Sequence, residues 1–539
     1  MAGLSDSSAQ SFDRHFPAKK VVRVNSEEDV LTHLARSSNL SMRRLPWGRK
    51  NIGVGLLKAF RSNALIEIHE DLDTEDHLES KSGHLVVCEA GEDISEIIAA
   101  TYAYALGAGI KIIPQVDESF SGRLLERFYS LYESVGDTKP RSDYLHDIQD
   151  EMRSLCGDID TSVNTSLTII SKELPFGLAF PEVPSTHLFS YPDLGLAVAN
   201  GFAAEQARTR GTNVALLIDP EQTEAPEIQT ISQSLAKRKA FVRGYSGKGA
   251  SVRAVSDAVE LFPYDLLVFA THCGDATGYR WTYEFRDSEG YDRRLVVDIA
   301  LGVGKTHQKD ILDVVQYMRF HELDGVDWTD PEKEKKVHIG NAIRDFTDRY
   351  RSDDSFKPTK KEQIDRVLGS AALRMYDNNY LAIQTSLANN GTPIVINNAC
   401  GSWHRLASDF VFAGCRAYIG TMFPITTSEA HDVLSNVFGK QWGKVLPHAL
   451  WAAQNSVYRD SVRRPYVATG VYCAKIRITP ENIPLTLVER LLDGQSAATR
   501  MQQRAKSEAN GFLERRASDA LEFYKREIAG IVKRYGLTN

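Results

Sequence analysis

Short apolar runs, separated by segments with helical spacing, dominate the middle of the chain. The runs at 213–219, 240–246 and 265–272 each have the length of a buried strand. Two further runs, at 393–400 and 416–423, come later, and we expect a helix to begin directly after the first of them ends. Strands that alternate with helices predict a parallel sheet with right-handed crossovers. The pattern therefore predicts an α/β fold for this part of the chain.

A shorter α/β pattern lies closer to the N-terminus. A strand is predicted from Leu85, a helix follows with Asp93 at its N-cap, and a second strand ends at Pro114. Two helical stretches, 121–134 and 142–155, come next. This order predicts a strand–helix–strand unit followed by a pair of helices.

A proline-rich passage at 174–195 is predicted to be loop or edge structure, and we place a domain boundary inside it. A chain of 539 residues is too long for one ordinary domain. We predict an N-terminal α/β domain at 1–192 that regulates the protein or binds a partner, a central domain at 193–480, and a C-terminal helical extension at 481–539. No internal repeat of 20–50 residues is apparent.

Two segments of the central domain depart from the alternation of strands and helices. The sequence at 281–301 predicts a β-hairpin that turns at 288–291. The highly charged stretch at 305–390 is predicted to be an insertion that is mostly helical and polar. Because it leaves the sheet between two strands, we expect its path to pass near the edge of the sheet where ligands bind.

The last 55 residues, 485–539, repeat apolar residues at roughly helical spacing and predict one or two long amphipathic helices. An isolated helix cannot bury such a stripe, so the stripe must pack against the N-terminal block, a second copy or another protein. We favour docking within the chain, because a short turn at Pro484 links the helix to the sheet.

Composition narrows the class of protein. A formal charge of −7 argues against general electrostatic attraction to nucleic acid. The six cysteines show neither CxxC pairs nor zinc-ligand spacing, so neither a disulfide framework nor a structural metal site is indicated. The N-terminal sequence lacks the apolar core of a signal peptide, and no run of about 18 apolar residues occurs. We expect a cytoplasmic protein that binds neither a membrane nor, directly, nucleic acid, and that uses no cofactor or metal.

Two of the predicted strands end at reactive side chains. PYDLLVFATHCGD delivers His272 and TPIVINNACGS delivers Cys400, and each residue is followed closely by glycine. Since the carboxyl ends of parallel strands form the crevice where ligands bind, the two side chains can face each other across the crevice. A thiol beside an imidazole that takes its proton is the arrangement of a cysteine nucleophile. The pair predicts a cysteine peptidase.

Structural explanations of the same residues compete with this one. A free cysteine is often core filler, and a histidine that closes an apolar strand is often a satisfied core residue. If the predicted helix begins just after Cys400, its N-terminus would favour a thiolate and hold an oxyanion. His404, four residues later on that helix, is the rival base. We expect it to point one turn inward and to pack locally.

The motifs FATHCGD and INNACGS resemble the His and Cys motifs of CHAT-domain peptidases, in the caspase- and separase-like clan. The segment 413–431 is similar to the strand and substrate loop that follow the family's nucleophile. The segments 443–458 and 463–474 are similar to its glycine-led helix and closing strand. The resemblance covers 213–473 and implies a caspase-like parallel-sheet sandwich flanked by helices.

The resemblance implies a role for each matching residue. His272 would be the base and Cys400 the thiolate nucleophile, with backbone N–H groups at Cys400 and Gly274 holding the oxyanion. The candidates for the substrate loop are Asp275, Pro424, Thr426, Thr427 and Glu429.

The chain departs from the family pattern at three places. Cys273 stands directly after the histidine, where the family usually has glycine, and this puts the donor at that position in doubt. The interval from His272 to Cys400 is 400 − 272 = 128 positions, longer than the family's usual one. Thr426 and Thr427 stand where the family often has an acidic residue, which weakens any expectation of a basic substrate residue.

Other motifs point to different chemistry. ALGVGKTH at 300–307 resembles the end of a Walker A loop, but Ile299 occupies the position of its first glycine. GRKNIGVG at 48–55 is glycine-rich and basic, but without a clear strand–helix context a turn is favoured over a phosphate cradle. The carboxylate runs at 69–80 and 321–336 are typical of solvated faces.

Two functions from different classes follow. The first is an endopeptidase that cleaves a protein partner and is switched on by a regulatory protein or signal, which the resemblance places in bacterial regulatory or antiviral defence pathways. The second is a catalytically inactive, caspase-like sensor or scaffold that binds a partner protein or a small ligand. Cys273 beside His272 keeps the second possibility open.

Overall fold

The computed structural model describes residues 43–537 except 71, 92–93, 132–140, 191–193, 207–210, 306–311, 328–332, 334–335, 354, 368–369, 382–385 and 460–462, together with residues 26, 28–29 and 31–32. The predicted N-cap Asp93 therefore lies outside the described residues. Among the residues that the structure describes, no helix is long and apolar enough to cross a membrane.

A mixed sheet of eleven strands forms the centre of the described structure. Across the sheet the strands follow the order β3 (His77–Leu78), β5 (Gly109–Ile113), β4 (His84–Glu89), β6 (Ser166–Ser171), β7 (Ser185–Phe189), β21 (Tyr466–Gly470), β20 (Ala417–Thr421), β19 (Ile394–Asn397), β10 (Leu266–Phe269), β8 (Val214–Asp219) and β9 (Phe241–Ser246). Only β3 with β5 and β20 with β21 pair antiparallel. The α/β class predicted from the alternating pattern is confirmed.

The sheet consists of two halves that meet at a seam. We call β3–β7 the N-terminal half, β8–β10 with β19–β21 the C-terminal half, and the pair β7 and β21 the seam. The first four parallel strands of each half have the same arrangement: the strand that comes second in the chain lies outermost of the four, followed across the sheet by the first, third and fourth. This order is β5-β4-β6-β7 in the N-terminal half and β9-β8-β10-β19 in the C-terminal half. Because β21 is parallel to β7 but antiparallel to β20, the parallel strands of the two halves run in opposite directions.

The seam corrects the prediction for the proline-rich passage at 174–195. Its residues 185–189 form β7, which pairs with β6 on one side and with β21 on the other, so this part is an interior strand rather than loop or edge. Pro184 directly precedes the strand without interrupting it. One continuous sheet thus joins the N-terminal block to the rest of the chain.

Helices cover both faces of the sheet, and two large apolar clusters fill the space between. One face carries α3 (Glu118–Ser130), α4 (Arg141–Cys156), α7 (Val252–Leu261), α9 (Arg405–Phe412), α12 (Ile483–Ser507) and α13 (Gly511–Tyr535). The other face carries α1 (Ile52–Ser62), α2 (Ser95–Leu106), α5 (Leu194–Gln206), α6 (Pro226–Lys237), α10 (Thr427–Phe438) and α11 (Leu446–Val457). A parallel pair, β1 (Arg43–Trp47) and β2 (Ala64–Ile68), flanks α1.

The chain leaves the main sheet between β10 and β19, and most regular elements of this excursion are strands. It contains β11 (Cys273–Gly274), β12 (Gly278–Arg286), β13 (Asp292–Lys305), β14 (Leu312–Leu323), β15 (Val326–Asp327), helix α8 (Ala342–Ser352), β16 (Lys360–Ile364), β17 (Ala372–Arg374) and β18 (Asn379–Leu381). The hairpin predicted at 281–301 is confirmed by the pairing of β12 with β13.

The prediction that 305–390 is mostly helical is wrong. Along β14, Met318 and Phe320 pack against the apolar cluster under this sheet, whereas Arg319 and His321 alternate with them. An antiparallel sheet with one face in water carries charges at every second position. The dense charge therefore marks the solvent-facing side of strands and not, as expected, the surface of helices.

The two C-terminal helices form a hairpin that docks on the C-terminal half, which confirms docking within the chain. We call α12 and α13 the tail hairpin. Leu487, Leu491 and Phe523 are among the residues it contributes to the apolar cluster on that face. Ion pairs at the margin join Arg490 to Asp265 at 2.9 Å and Arg516 to Glu260 at 2.6 Å.

Candidate active site

His272 and Cys400 occupy matching positions beyond two neighbouring strands. β10 and β19 are parallel, and Phe269 lies opposite Asn397 as their last paired residues. The Asn398 N–H donates to Phe269 O at 2.9 Å, a bond that belongs to this last pair. His272 and Cys400 each stand three positions beyond the last pair. Adjacent strands lie about 4.8 Å apart, so the register places both residues at one edge of the sheet.

Cys400 lies in a turn rather than at a helix N-terminus. We call residues 398–404 the Cys400 turn, because α9 begins only at Arg405. Gly401 has a φ of 57°, a left-handed conformation that glycine adopts without steric cost. The expectation that a helix begins directly after Cys400, and that its dipole acts on the thiol, is therefore wrong.

The chain after β20 provides the environment of the thiol instead. The Ile425 N–H donates to Cys400 Sγ at 3.4 Å, and the sulfur lies 3.5 Å from Ile425 O. The Cys400 side chain is half-buried, so the sulfur combines a backbone donor with partial access to solvent.

Buried hydroxyl groups fix the backbone of the Cys400 turn. Ser402 Oγ donates to Asn397 O at 2.9 Å and accepts from the Thr421 N–H at 3.1 Å. Thr421 Oγ1 donates to Ala399 O at 2.7 Å, and its carbonyl accepts from the Trp403 N–H at 2.9 Å. The end of β20 thus holds the turn on both sides of Cys400.

A second buried network reaches the turn through Asn398. Its amide donates to Glu227 Oε1 at 2.8 Å, and its carbonyl oxygen accepts from Tyr466 OH at 2.6 Å. Burial raises the pKa of the Glu227 carboxyl. Glu227 comes from the first turn of α6 and Tyr466 from β21, so residues far apart in sequence fix the side chain two positions before Cys400.

We call residues 270–277, which join β10 to β12, the His272 loop. It is hydrogen-bonded to a later part of the excursion. His272 O accepts from the Arg374 N–H at 2.9 Å, and the Thr271 hydroxyl donates to Arg374 O. Arg374 ends β17, which pairs with β11 next to His272. The His272 side chain itself is exposed at the edge of the sheet. Part of the predicted insertion therefore supports the loop that carries the candidate base.

The ladder between β11 and β17 orients the backbone N–H groups after His272. Since His272 bonds to Arg374, the alternation of an antiparallel ladder makes Cys273 opposite Leu373 a non-hydrogen-bonded pair. The Gly274 N–H is on the edge that faces Ala372, whereas the Cys273 N–H points to the outer edge of β11. The oxyanion roles of Gly274 and Cys400 stay predictions. The position directly after the histidine offers the N–H of Cys273.

Cys273 differs from Cys400 in its surroundings. It is half-buried against the apolar cluster, and burial, then Asp275 and the Cys400 sulfur, raise the pKa of its thiol. A protonated thiol is a poor nucleophile. The surroundings of Cys273 therefore keep its thiol neutral.

Asp275 is bound in an ion-pair cluster. Its carboxylate pairs with Arg366 at 2.8 Å, and Arg366 also pairs with Glu126 of α3 at 3.1 Å. The His272 loop, the excursion and the N-terminal half therefore meet at one guanidinium.

The predicted substrate-loop residues begin α10 near the thiol. Thr426 is the N-cap of this helix and forms a capping box with Glu429, and Thr427 is its first residue. Glu429 also pairs with Arg463 at 3.0 Å, and Arg463 donates to the carbonyl of the exposed Pro424 at 3.1 Å. The carboxylate of Glu429 is thus paired with an arginine of the same chain. The loop that contains Ile425 stands beside the Cys400 sulfur.

His404 does not lie on a helix that contains Cys400. It precedes α9 with φ 55° and ψ −96°, a combination that is unusual for any residue except glycine. Burial, and then Arg405, lower the pKa of His404 to about 4. The expectation that it lies one helical turn beyond Cys400 is wrong, because the hydrogen bonds of Ser402 and Thr421 replace the first turn of the predicted helix.

The competing motifs occupy ordinary structural positions. Gly304 and Lys305 of the Walker-like sequence end the antiparallel strand β13, and Thr306 lies outside the described residues. GRKNIGVG does connect a strand to a helix, contrary to expectation, but Glu96 Oε2 already accepts from the Gly53 N–H at 3.0 Å at the start of that helix. In the part of the chain that the structure describes, no group of three His, Cys, Asp or Glu could hold a metal ion.

The residues that support the turn were not predicted from the sequence. Glu227 and Tyr466 come from elements that only the fold brings together, and Trp403, within the turn, has partners on distant strands. The polar pair Asn397–Asn398 before Cys400 was the available signal. No protein-family model matches this chain, and no curated protein matches it.

Proposed function

We propose that the chain is a cysteine peptidase in which Cys400 is the nucleophile and His272 the base. The observation that carries the proposal is the matched position of the two residues, each three beyond the last paired residue of adjacent parallel strands. A nucleophile and a base must lie within reach of each other and at an accessible edge. The register of β10 and β19 supports both conditions.

The reaction would be acyl transfer to sulfur. The Cys400 thiol gives its proton to His272, and the sulfur attacks the carbonyl carbon of a peptide bond. The carbon–nitrogen bond then breaks, and His272 returns the proton to the leaving amine. Water attacks the thioester in the second stage, releases the acid and restores the thiol.

Other parts of the structure favour Cys400 over Cys273 in this role. The Cys400 sulfur accepts a backbone N–H and is partly open to solvent, whereas the surroundings of Cys273 keep its thiol protonated. Cys273 would then contribute its backbone N–H to the oxyanion, at the position directly after His272. The expectation of one reactive cysteine beside one inert cysteine is testable by labelling.

The elements after Cys400 support the CHAT-like assignment. Strand β20, the loop that contains Ile425, helix α11 and the closing strand β21 follow in the order that the resemblance implies. All six cysteines are free, as a protein of a reducing cytoplasm would have them. We propose that the peptidase belongs to the caspase- and separase-like clan, and the resemblance alone implies a role in regulated proteolysis or antiviral defence.

The test is a comparison of cleavage products. A bacterial lysate is incubated with the purified protein or with its Cys400→Ala, His272→Ala or double variant, and new protein N-termini are identified by mass spectrometry. We expect a defined set of N-termini with the unaltered chain and none with either single variant. The double variant should lose no more than each single one, because nucleophile and base act as a unit.

The residues before the new N-termini would define the cleavage-site preference. If cleavage persists at a near-normal rate in either single variant, the dyad is wrong. If the unaltered chain produces no new N-termini under conditions that activate it, the alternative of a non-catalytic sensor is favoured.

A further inference from the structure

Trp403 attaches the Cys400 turn to the seam between the two halves of the sheet. Its side chain is fully buried, and the indole N–H donates to Thr469 Oγ1 of β21 at 2.8 Å. On β7, the Phe189 ring stacks on the indole with centroids 5.6 Å apart, and the His187 ring meets it edge-on at 5.0 Å. One side chain of the turn thus contacts both strands of the seam.

The backbone around Trp403 is held in conformations that most residues avoid. Gly401 has a φ of 57°, and His404, directly after the tryptophan, has φ 55° and ψ −96°. Glycine adopts such a φ without cost, but the conformation of His404 persists only where the surrounding structure enforces it, and such residues concentrate at functional sites. The buried indole lies between these two positions, and its contacts with the seam add to the hydrogen bonds of Ser402 and Thr421 that hold the turn.

Of the two ring nitrogens of His187 at the seam, Nε2 has a hydrogen-bond partner and Nδ1 is buried without one among the described residues. His187 Nε2 lies 2.9 Å from Ser171 Oγ, which donates its proton to Leu174 O at 2.6 Å. Burial, and then His404, lower the pKa of His187 to about 3. His187 and His404 are therefore both neutral near pH 7. The two imidazoles beside Trp403 do not repel each other as cations.

We propose that Trp403 is a positioning residue for Cys400, and that the N-terminal half of the sheet holds the nucleophile in place through Phe189 and His187. The inference rests on the proposed function of Cys400. A displacement of about 1 Å at a catalytic group can reduce the rate about 100-fold. The N-terminal half thereby becomes part of the support of the active site. Phe189 lies 403 − 189 = 214 positions before Trp403 in the sequence.

The test measures the rate at which iodoacetamide alkylates Cys400 in the folded protein at pH 7, with peptide mapping by mass spectrometry. Phe189→Leu removes the stacked ring from β7, Thr469→Val removes the acceptor of the indole N–H, and Trp403→Phe removes the donor. The matched control is Phe128→Leu, the same change at a fully buried residue of α3 in the N-terminal half. Thermal unfolding of each variant provides a measure of stability that is independent of the thiol.

We expect the alkylation rate of Cys400 to fall by about tenfold or more in Phe189→Leu and Trp403→Phe, and by less than about twofold in Phe128→Leu. Thr469→Val, a nearly isosteric change, should give a smaller shift in the same direction with the fold intact. Equal rates in all the variants, or equal changes in Phe189→Leu and Phe128→Leu at equal loss of stability, would overturn the positioning role.

The same data separate this inference from the proposed function. Cys473 is half-buried, and burial raises its pKa to about 11, so it serves as the slow reference thiol. If Cys400 of the unaltered chain reacts no faster than Cys473, the proposed function fails. If Cys400 reacts much faster but the seam variants leave its rate unchanged, only the positioning role fails.

Discussion

At the scale of single residues, the Cys400 turn separates what the sequence could predict from what it could not. His272 and Cys400 were predictable, because each closes an apolar run and strand ends of a parallel sheet converge. The path of the turn was not predictable. It depends on hydrogen bonds with Thr421 and on the burial of Trp403 against Phe189, and these partners come from other strands.

The unusual backbone of His404 leads to a prediction with a matched pair of variants. Glycine adopts φ 55° and ψ −96° far more readily than alanine, so His404→Gly should be more stable than His404→Ala by about 1–2 kcal/mol. Both variants remove the imidazole. We expect Cys400 of His404→Gly to keep its alkylation rate, measured together with urea unfolding. Loss of reactivity in both variants, without loss of stability, would instead identify His404 as the base.

At the scale of secondary-structure elements, the tail hairpin shows which features helical spacing predicts and which it does not. The spacing predicted long amphipathic helices, and a buried apolar stripe required a partner. The surface that accepts the hairpin could not be derived from the stripe. It is defined by ion pairs such as that of Arg490 with Asp265, and by the apolar cluster on that face of the sheet.

Two glycines of the tail hairpin predict opposite effects of the same substitution. A Cβ at Gly494 would lie 2.5 Å from Tyr524 Cζ, whereas one at Gly530 would have no neighbour within 4 Å. Gly494→Ala should lower the free energy of unfolding by about 1–3 kcal/mol through this clash. Gly530→Ala should raise it by about 0.5–1 kcal/mol through helix propensity. Urea unfolding checks both, and an equal sign would show that the two helices do not pack as described.

The excursion between β10 and β19 was the element that the sequence analysis interpreted least well. Its charge density concealed a period of two residues along β14, which an antiparallel sheet with one wet face produces. Its support of His272 through Arg374 depends on β17, a strand of three residues that carries too little pattern to be recognised.

At the scale of the whole molecule, two halves with the same strand order share one sheet. The order β5-β4-β6-β7 matches β9-β8-β10-β19, although no repeat is apparent in the sequence. Apolar patterning specifies that a strand is buried but not which neighbour it pairs with. The continuity across β7 and β21 therefore became visible only in the fold.

A buried histidine network near the seam predicts how the stability of the whole molecule responds to acid. His84 lies 2.8 Å from Ser166 Oγ and 2.9 Å from Thr168 Oγ1, and Tyr102 OH accepts from the Tyr472 N–H after β21 at 2.7 Å. Burial, and then His448, lower the pKa of His84 to about 3. Between this value and the pKa of about 6.5 in the unfolded chain, the unfolded state binds more protons. The contribution of His84 to stability is therefore lost as the pH falls through that window.

The loss at pH 5.0 should be about 2 kcal/mol for this one residue. The free energy of unfolding, measured in urea at pH 7.5 and at pH 5.0, should fall less in His84→Gln than in the unaltered chain by about that amount. Carboxyl groups titrate alike in both proteins and cancel in the difference. The same pH response in both proteins would show that His84 is not buried in its neutral form.

The central claim, that His272 activates Cys400, is tested most directly by the alkylation of Cys400 in His272→Gln. Glutamine keeps a polar side chain at the edge of the sheet but cannot take the thiol proton. The account predicts that iodoacetamide modifies Cys400 of the unaltered chain at least about tenfold faster than Cys473 at pH 7, and that His272→Gln removes this advantage while Cys473 reacts as before. An unchanged rate at Cys400 in His272→Gln would contradict the dyad.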